Sequence, residues 1–545
     1  MSYTGADLIA AALADLGVEH VFGIVSIHNM PMFDAINRLG RTQIIDVRHE
    51  QAGTHAADGY ARATGGIGVM IASTGPGTSN TVTGLYEAEY ASSRVLVITG
   101  QAETTFYGKA VGYVHEAERQ VPMLASVCRR VESPRHVERL GDAIDAVVRD
   151  MFTGRPAPAA LEVPIDLQYA TVDERRFALP EPIVPKPSED DVQRVVDALG
   201  GASRRVIVAG GGAVSGAAGE AVTALAERLD APVFTTSNGR GSIPEDHPLS
   251  LGNYYTSAGM YQAISDADVT LAVGTRFAVG VDGQQARLTP PGKLVQIDVD
   301  PAVIGRTHRA QIGVNADARL TLEAVLDGLD QSAPNDGQFN EAVLEARDGV
   351  RGAMRARLGD DFPKIMDTLR AALPRDGLFV RDQTISAYNW GNQQFPIYEP
   401  RSTMNPTSGA IGPGLPLAIG AAVGGRRKTL LIHGDGGFMF HATELATAAQ
   451  YQLPLVICVF NDQGYGVLRW LQDTRFGRIN ETDLGKVDFA MMAQSMGVPG
   501  QRVANVAEFE AAVDEAMNVA GPYLIDVDME HFAPMEISIM PKKRA

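Results

Sequence analysis

The sequence predicts an α/β protein made of three doubly wound domains, each built on a parallel sheet. Short apolar runs, bounded by glycine, aspartate or serine, recur along the whole chain of 545 residues. Helical patterns such as GDAIDAVVRDMF separate these runs, and this alternation is typical of doubly wound domains. Two stretches rich in breakers, 177–191 and 329–341, divide the chain into three segments. We therefore expect domains at 1–176, 190–330 and 345–530.

The candidate strands share an apolar character over their whole length. They lie at 67–73, 95–100, 206–212, 269–275, 294–300, 378–384, 429–436, 455–462 and 523–528. Strands that are apolar on both faces belong to parallel sheets that helices cover on each side. Polar residues and glycines at the ends of such strands meet at one edge of the sheet, where doubly wound folds bind ligands.

Charge and cysteine content exclude several classes of protein. Asp and Glu number 65 and Lys and Arg 47, which gives a net charge of −18. This charge argues against nucleic acid or an anionic membrane surface as a partner, since both are negatively charged and bind positively charged protein surfaces. The cysteines, Cys128 and Cys458, are too few for a disulfide framework. The start lacks a basic, cleavable leader and no run suits a membrane span, so we expect a cytoplasmic protein.

Two strands near the end of the chain each lead into an acidic residue with glycines around it. TLLIH leads into Gly434, Asp435, Gly436 and Gly437, and LVICVF leads into Asn461, Asp462, Gly464, Tyr465 and Gly466. Carboxylates at one sheet edge suit Mg²⁺. Phosphate oxygens of a bound ligand often complete the coordination of this ion. Glycine lets the backbone approach a phosphate, and a following helix N-terminus favours an anion. The pattern therefore predicts a site for Mg²⁺ and a phosphorylated ligand.

This segment resembles the diphosphate-binding domain of a superfamily of thiamin-diphosphate-dependent enzymes. The superfamily includes acetolactate synthase, pyruvate oxidase and benzoylformate decarboxylase, and its motif is GDG followed further along by NN. Asp462 replaces the second Asn of that motif. The resemblance implies thiamin diphosphate and Mg²⁺ as cofactors, with Asp435, Asp462 and the main-chain carbonyl of Gly464 as metal ligands. It also implies that the cofactor is contacted by Thr384, Gly434, Gly436, Gly437, Tyr465 and Gly466.

The first segment carries a complementary motif, in which Glu50 follows a predicted strand and begins a helix. The run RHEQAGTHAADGYAR resembles the pyrimidine-binding motif of the same superfamily. The resemblance implies that Glu50 bonds N1′ of the aminopyrimidine and promotes the C2 ylid, which leads to an enamine intermediate. In relatives, Glu50 and the GDG segment meet from two subunits. We therefore expect a homodimer or homotetramer with active sites at subunit interfaces.

A third match is the glycine-rich run from Ser408 to Pro416. In relatives, a large apolar residue at the position of Ile411 wedges beneath the cofactor, and the carbonyl group at the position of Gly409 meets the 4′-amino group. Taken alone, an isoleucine at a glycine-rich helix start is only a core residue. The resemblance therefore adds Gly409 and Ile411 to the cofactor-binding set.

The middle segment has a glycine-rich turn, VIVAGGGAVSG, after a predicted strand. Such a turn is weak evidence for a dinucleotide site. Relatives use this domain for FAD, for ADP or for no ligand, and synthases carry RFDDR where this chain has Arg276, Phe277, Ala278 and Val279. The occupant of the central domain therefore stays open. The resemblance assigns pyrimidine binding to 1–176, a nucleotide-binding-like role to 190–330, and diphosphate and Mg²⁺ binding to 345–530.

Two histidines are candidate catalytic residues because they fall in loops that lie near the substrate in relatives. His28 follows the first strand, and benzaldehyde lyase has a histidine at the matching place, where a side chain of this kind can transfer protons. His115 stands where synthases carry a glutamine. The tryptophan of synthases aligns with Leu471, whereas Trp470 lies one position earlier, so the acceptor side departs from the synthase pattern.

The motifs favour a 2-oxo acid decarboxylase or carboligase of the acetolactate synthase type. Its substrates would be small molecules: a 2-oxo acid, an aldehyde or an acyloin. The alternative is a lyase that cleaves a 2-hydroxy ketone or a 2-hydroxyacyl-CoA, and His28 and the absent synthase tryptophan favour it. A third hypothesis is a non-catalytic homologue that only binds the cofactor, against which Glu50 and the intact metal motif argue.

Overall fold

The structure is a computed structural model, and it describes residues 3–278, 288–329 and 334–536. Its strands form three sheets of six strands each, and all neighbouring strands are parallel. Adjacent residues of one strand, such as Val21 and Phe22, enter separate hydrophobic cores on the two faces of the sheet. The predicted α/β class with three doubly wound, parallel-sheet domains is confirmed.

The first sheet is formed by the N-terminal third of the chain. Its strands are β1 (His20–Gly23), β2 (Gln43–Asp46), β3 (Gly68–Ala72), β4 (Val95–Gln101), β5 (Arg130–Glu132) and β6 (Ala159–Pro164). They are arranged in the order β2-β1-β3-β4-β6-β5. The connecting helices are Gly5–Asp15, Met30–Leu39, Glu50–Thr64, Pro76–Ala91, Gln120–Ala125, Leu140–Met151 and Ile165–Tyr169.

The second sheet is formed by the middle of the chain. Its strands are β7 (Arg205–Ala209), β8 (Val233–Thr235), β9 (Ser250–Gly252), β10 (Val269–Val273), β11 (Lys293–Asp298) and β12 (Ile312–Asn315). The order β12-β11-β10-β7-β8-β9 is the strand order of dinucleotide-binding domains. The helices described here are Glu189–Gly200, Gly211–Ser215, Gly219–Leu229, Ala258–Ala263, Ala318–Gly328 and Gly337–Ala356. The last of these helices packs Phe339 and Val343 into the central core.

The third sheet is formed by the C-terminal part of the chain. Its strands are β13 (Leu378–Arg381), β14 (Thr403–Met404), β15 (Thr429–Gly434), β16 (Leu455–Asn461), β17 (Gly500–Val503) and β18 (Tyr523–Asp528). The order β14-β13-β15-β16-β18-β17 repeats that of the first sheet. The helices are Phe362–Ala372, Gly414–Gly425, Asp435–Phe438, Leu445–Gln450, Gly466–Phe476, Phe489–Ser495 and Val506–Asn518. None of the helices in the described ranges combines the length and apolar composition that crossing a bilayer requires.

Two equivalent helices join the first and third sheets. The helix Glu50–Thr64 follows β2, and the helix Gly414–Gly425 follows β14, which holds the same place in its own sheet. The two helices pack directly on each other. One hydrophobic core then continues from Phe22 of the first sheet to Leu431 of the third. The two outer domains of one chain are therefore packed together over a shared core.

Glycine permits the close approach of these two helices. A Cβ atom on Gly59 would overlap the carbonyl oxygen of Leu417, and a Cβ atom on Gly420 would overlap the carbonyl oxygen of Ala56. Only a residue without a side chain allows the two backbones to lie so near each other. The distance between the outer domains is thus set by backbone contact at the crossing.

Replacing Gly420 with alanine is expected to destabilise the protein by about 1–3 kcal/mol, because the added methyl group must displace the helix that carries Ala56. Gly352→Ala is the matched control, since it also lies in a helix and a Cβ atom there meets nothing within 4 Å. The control is expected to be neutral or stabilising because alanine favours helices. Thermal unfolding followed by circular dichroism measures both. An unchanged Tm for Gly420→Ala would contradict the close crossing.

Candidate functional site

The first part of the site lies where β15 and β16 end side by side. The two strands pair in parallel, with Gly434 opposite Phe460, so the residues that follow them meet at one edge of the third sheet. Asp435 follows β15 and Asp462 follows β16, and both side chains are buried. The structure thus brings these two carboxyl groups together.

The Asp435 carboxyl group has surroundings that favour a bound cation. Its Oδ1 atom is buried and has no hydrogen-bond partner in the part of the chain that the structure describes. Burial, reinforced by the neighbouring Asp462, raises the pKa of Asp435 well above its ordinary value. A divalent cation would satisfy the orphaned oxygen and offset the repulsion.

Side chains alone do not complete a metal site at this position. Over residues 3–278, 288–329 and 334–536, no group of three or more His, Cys, Asp or Glu side chains is arranged to hold a metal ion. Two carboxylates, one main-chain carbonyl and the oxygens of a bound ligand form a coordination shell that suits Mg²⁺. The carbonyl oxygen of Gly464 lies close to Gly436, because it would be 3.1 Å from a Cβ atom there.

Glycines surround these carboxyl groups, and larger residues would collide with the site. A Cβ atom on Gly436 would lie 2.7 Å from Cε1 of Tyr465, and one on Gly434 would lie 2.9 Å from Oγ1 of Thr384. A Cβ atom on Gly466 would overlap the Asp462 carboxylate. We name five glycines around the two carboxyl groups the glycine cradle: Gly434, Gly436, Gly437, Gly464 and Gly466. A cradle of this kind admits an anion whose oxygens approach the backbone.

Asp382, which sequence patterns did not single out, holds the loop before the helix Gly414–Gly425. Its carboxylate follows β13 and accepts hydrogen bonds from the backbone N–H groups of Gly412 (3.1 Å) and Gly414 (2.7 Å). Nε2 of His433 lies 3.4 Å from the same carboxylate. The signal that could have revealed Asp382 is its place at a strand end, since Asp435 follows a neighbouring strand in the same way.

The tip of this loop carries Gly409 and Ile411. Gly409 has a φ of 85°, a conformation that residues with a side chain rarely adopt, although a Cβ atom there would meet nothing within 4 Å. The Ile411 side chain is 37% exposed. An apolar surface is thus available to a ligand beside the glycine cradle.

Glu87, from the first domain, holds the stem of the same loop. Its buried carboxylate accepts hydrogen bonds from the backbone N–H groups of Thr407 and Ser408 and from the Ser408 hydroxyl group. Burial raises the pKa of Glu87, and the negative charge of the nearby Asp58 raises it further. The positive charge of Arg62, 3.8 Å away, acts in the opposite direction. No pattern predicted this role, because the two segments are remote along the chain and meet only in the fold.

The second part of the site is formed around Glu50 at the edge of the first sheet. Glu50 is the first residue of the helix Glu50–Thr64. Its Oε2 atom accepts a hydrogen bond from Nδ2 of Asn80 (3.0 Å), and a Cβ atom on Gly77 would lie 3.2 Å from Oε1. The carboxylate is therefore oriented by an amide and bordered by a glycine. The role of Asn80 was not predicted.

His28 and His115 lie side by side in the first domain. Their ring centroids are 5.3 Å apart. Burial lowers the pKa of His28, and the neighbouring His115 lowers it further. Nδ1 of His115 lies 3.5 Å from Oγ of Ser73. Ser73 and Glu50 both border Gly77, since a Cβ atom there would lie 3.0 Å from Cβ of Ser73 and 3.2 Å from Oε1 of Glu50. The structure thus brings His28 and His115 together, and Ser73 and Gly77 lie between His115 and Glu50.

The two parts of the site make their hydrogen bonds in different domains. Glu50 bonds Asn80 of the first domain, and Asp435 and Asp462 contact residues of the third. Among the described residues, no hydrogen bond or ion pair links Glu50, His28 or His115 to either aspartate.

The central domain uses its predicted motif residues in contacts between elements. The backbone N–H groups of Gly210 and Gly212 donate to the carbonyl groups of Val273 and Gly274. Arg276 donates to the carbonyl of Tyr90 (2.8 Å) and stacks on that ring, which ties the central domain to the first. Val279, the last residue of the RFAV run, lies outside the described residues. FAD or ADP at this turn stays a prediction.

Comparisons with known proteins agree with this organisation. Domain models of thiamine pyrophosphate enzymes match in chain order: the N-terminal TPP binding domain at 3–123, the central domain at 192–325 and the C-terminal TPP binding domain at 385–527. Thiamine pyrophosphate is thiamin diphosphate.

Curated relatives match over nearly the whole chain. A probable 2-ketoarginine decarboxylase of Pseudomonas aeruginosa is 34% identical over 96% of this chain and 94% of its own. A probable acetolactate synthase large subunit of Methanococcus aeolicus is 32% identical over 96% and 91%. The acetolactate synthase isozyme 2 large subunit of Escherichia coli is 32% identical over 96% and 95%. The chain therefore belongs to the thiamine pyrophosphate enzymes and is a thiamin-diphosphate-dependent enzyme of the acetolactate synthase and decarboxylase type, which forms or cleaves C–C bonds.

Proposed function

We propose that the enzyme is a Mg²⁺-dependent decarboxylase and carboligase of small 2-oxo acids. The observation that carries this proposal is the pair of buried carboxyl groups, Asp435 and Asp462, beside the glycine cradle. The names of the relatives, acetolactate synthases and a 2-ketoarginine decarboxylase, support 2-oxo acids as the substrate class. The decarboxylated fragment would leave as an aldehyde or join an acceptor carbonyl to give an acyloin-type product.

The residues present fit thiamin diphosphate and Mg²⁺. Asp435, with its orphaned oxygen, Asp462 and the carbonyl of Gly464 would hold the metal ion. The glycine cradle, with Thr384 and Tyr465 beside it, would receive the diphosphate. Thiamin diphosphate, when bound, supplies a carbon nucleophile and an electron sink, which the loss of CO₂ from a 2-oxo acid requires.

Two further parts of the chain would act on the ring end of the cofactor. The carbonyl of Gly409 and the exposed side chain of Ile411 would orient the rings. Glu50, whose Oε2 atom Asn80 holds, would share a proton with N1′ of the aminopyrimidine. Proton transfer by a positioned carboxyl group is general acid–base catalysis.

The histidine pair, in which His28 is buried and His115 is exposed, would serve the substrate. His28, whose pKa is lowered by burial and then by His115, is neutral at pH 7 and can accept a proton from a substrate hydroxyl group or return it. His115 stands next to it, with its Nδ1 atom towards Ser73. We propose both as catalytic residues that move protons on the substrate side.

His28→Asn is expected to lower kcat by about 10- to 100-fold and to remove the acidic limb of its pH profile. The sign follows from the lowered pKa: His28 accepts a proton only above that value, so activity falls as the pH drops through a pKa that lies below the ordinary value of histidine. Steady-state rates between pH 5 and 8 test this. The exposed His136→Asn is the control. A His28→Asn enzyme with the parent profile would remove His28 from the mechanism.

We also propose a homodimer or homotetramer in which Glu50 of one subunit completes the site of the next. The supporting observation is that Glu50 and the carboxyl pair make their hydrogen bonds in different domains, and that no hydrogen bond or ion pair joins them among the described residues. Glu50→Gln and Asp435→Asn chains, each inactive alone, would then complement each other. Random mixing gives one intact site in every mixed dimer, so we expect about 25% of parent activity. No recovery in mixed dimers would contradict sites built from two subunits.

CO₂ release from a panel of 2-oxo acids tests the reaction. The panel contains pyruvate and acids with larger or charged side chains, and the assay contains thiamin diphosphate and Mg²⁺. Release from at least one acid, abolished in Asp435→Asn, is the expected result. No release of CO₂ from enzyme that binds the cofactor would favour the lyase hypothesis. Cleavage of a 2-hydroxy ketone to two carbonyl products would then establish it.

A further inference from the structure

A buried arginine lies beneath the loop that carries Asp462. Arg469 is 0% exposed and belongs to the helix Gly466–Phe476. Its Nη2 atom donates to the main-chain carbonyl of Asp462 (3.0 Å), and its Nη1 atom lies 3.8 Å from Oδ2 of the same residue. The guanidinium therefore contacts both the backbone and the side chain of one proposed metal ligand.

The same guanidinium reaches a second segment that borders the loop. Nε of Arg469 lies 3.1 Å from Oδ1 of Asp483. The segment around Asp483 is itself attached to the loop, because the N–H group of Tyr465 donates to the carbonyl of Thr482 (2.9 Å). The arginine thus lies between the loop that carries Asp462 and the segment around Asp483, beside the glycine cradle.

Charge is the reason that this arginine matters to the site. The motif of relatives has a neutral Asn where this chain has Asp462, so the buried site here has one extra negative charge. A diphosphate adds further negative charge at the same place, and one Mg²⁺ does not neutralise two carboxylates and a diphosphate together. A buried charge without a partner is costly, and a nearby opposite charge offsets that cost. Arg469, which also pairs with Asp483, supplies an offsetting positive charge beside Asp462.

We propose that Arg469 is a positioning residue that compensates the charge of Asp462 and so allows an aspartate to serve in the diphosphate site. This proposal rests on the proposed function of Asp462 as a metal ligand. It makes Arg469 and Asp462 a matched pair: the arginine is needed because the aspartate is there. A purely structural role, holding the loop through its carbonyl, would not depend on the charge of residue 462.

A double-mutant cycle on cofactor binding separates these two roles. Thiamin diphosphate is titrated calorimetrically into apoenzyme at saturating Mg²⁺, and quenching of tryptophan fluorescence, with Trp470 next to Arg469, gives an independent readout. Arg469→Met is expected to raise Kd by about tenfold or more in the parent, and by less than about threefold in the Asp462→Asn background. The exposed Arg475→Met, on the same helix, is the control and is expected to change nothing.

Equal losses in both backgrounds would overturn the proposal, because they would show a structural role alone. Arg469→Lys covers the case in which the methionine variant does not fold, since it keeps the charge and loses the planar contacts. We expect its Kd to stay within about threefold of the parent value. A Kd about tenfold above the parent value would also overturn the proposal. Failure of the proposed function looks different: the parent enzyme itself would bind thiamin diphosphate equally well with Mg²⁺ and with EDTA.

Discussion

Glu50→Gln is expected to lower kcat by about 100- to 10,000-fold, the range that general acid–base catalysis contributes. Glutamine has nearly the same size and still meets Asn80, whose amide bonds the carboxylate at 3.0 Å. It cannot, however, give or take a proton at the aminopyrimidine. The variant is therefore expected to fold and to bind thiamin diphosphate with a Kd within about threefold of the parent.

Single-turnover CO₂ release measures the chemical step, and calorimetry measures cofactor binding. Glu220→Gln is the matched control, because Glu220 is exposed in the central domain and its substitution is expected to leave kcat unchanged. A Glu50→Gln enzyme with a near-parent rate would show that the proton is moved by another group. Loss of cofactor binding instead of turnover would assign Glu50 a binding role.

Asp435→Asn is expected to weaken Mg²⁺-dependent binding of thiamin diphosphate by about 100-fold or more, because a metal ligand loses its charge. The Oδ1 atom of Asp435 is buried without a hydrogen-bond partner in the described chain, so this oxygen is free to meet a cation. Calorimetric titration at several Mg²⁺ concentrations measures the loss. The expected pattern is a weaker cofactor Kd at every Mg²⁺ concentration, with partial recovery at high Mg²⁺.

Asp514→Asn, an exposed change in the helix Val506–Asn518, serves as the control. It alters the net charge by the same amount and is expected to leave the cofactor Kd unchanged. An Asp435→Asn enzyme with parent affinity, and with the parent dependence on Mg²⁺, would place the metal ion elsewhere. Circular dichroism excludes unfolding as the cause of a loss.

The strand ends were the most predictable part of the site. Asp435 and Asp462 each follow an apolar run, and parallel strands bring such ends to one edge. The glycines could be predicted for the same reason, since a chain that turns closely around an anion leaves no room for a Cβ atom. These features are local, so each is visible in a window of a few residues.

The supporting side chains could not be predicted, because their partners are distant in sequence. Glu87 accepts hydrogen bonds from Thr407 and Ser408, and nothing in a helix from the first domain indicates a loop in the third. Asn80 and Arg469 are ordinary helix residues until the fold places Glu50 and Asp462 beside them. Contacts of this kind depend on how domains pack, which hydrophobic periodicity does not report.

The crossing of the two glycine-bearing helices has the form of a two-fold interface. Gly59 meets the carbonyl of Leu417, three positions before Gly420, and Gly420 meets the carbonyl of Ala56, three positions before Gly59. Reciprocity of this kind marks contact between identical units, and the outer sheets share one strand order. A one-domain ancestor that dimerised through this helix, followed by duplication and fusion of its gene, accounts for both facts.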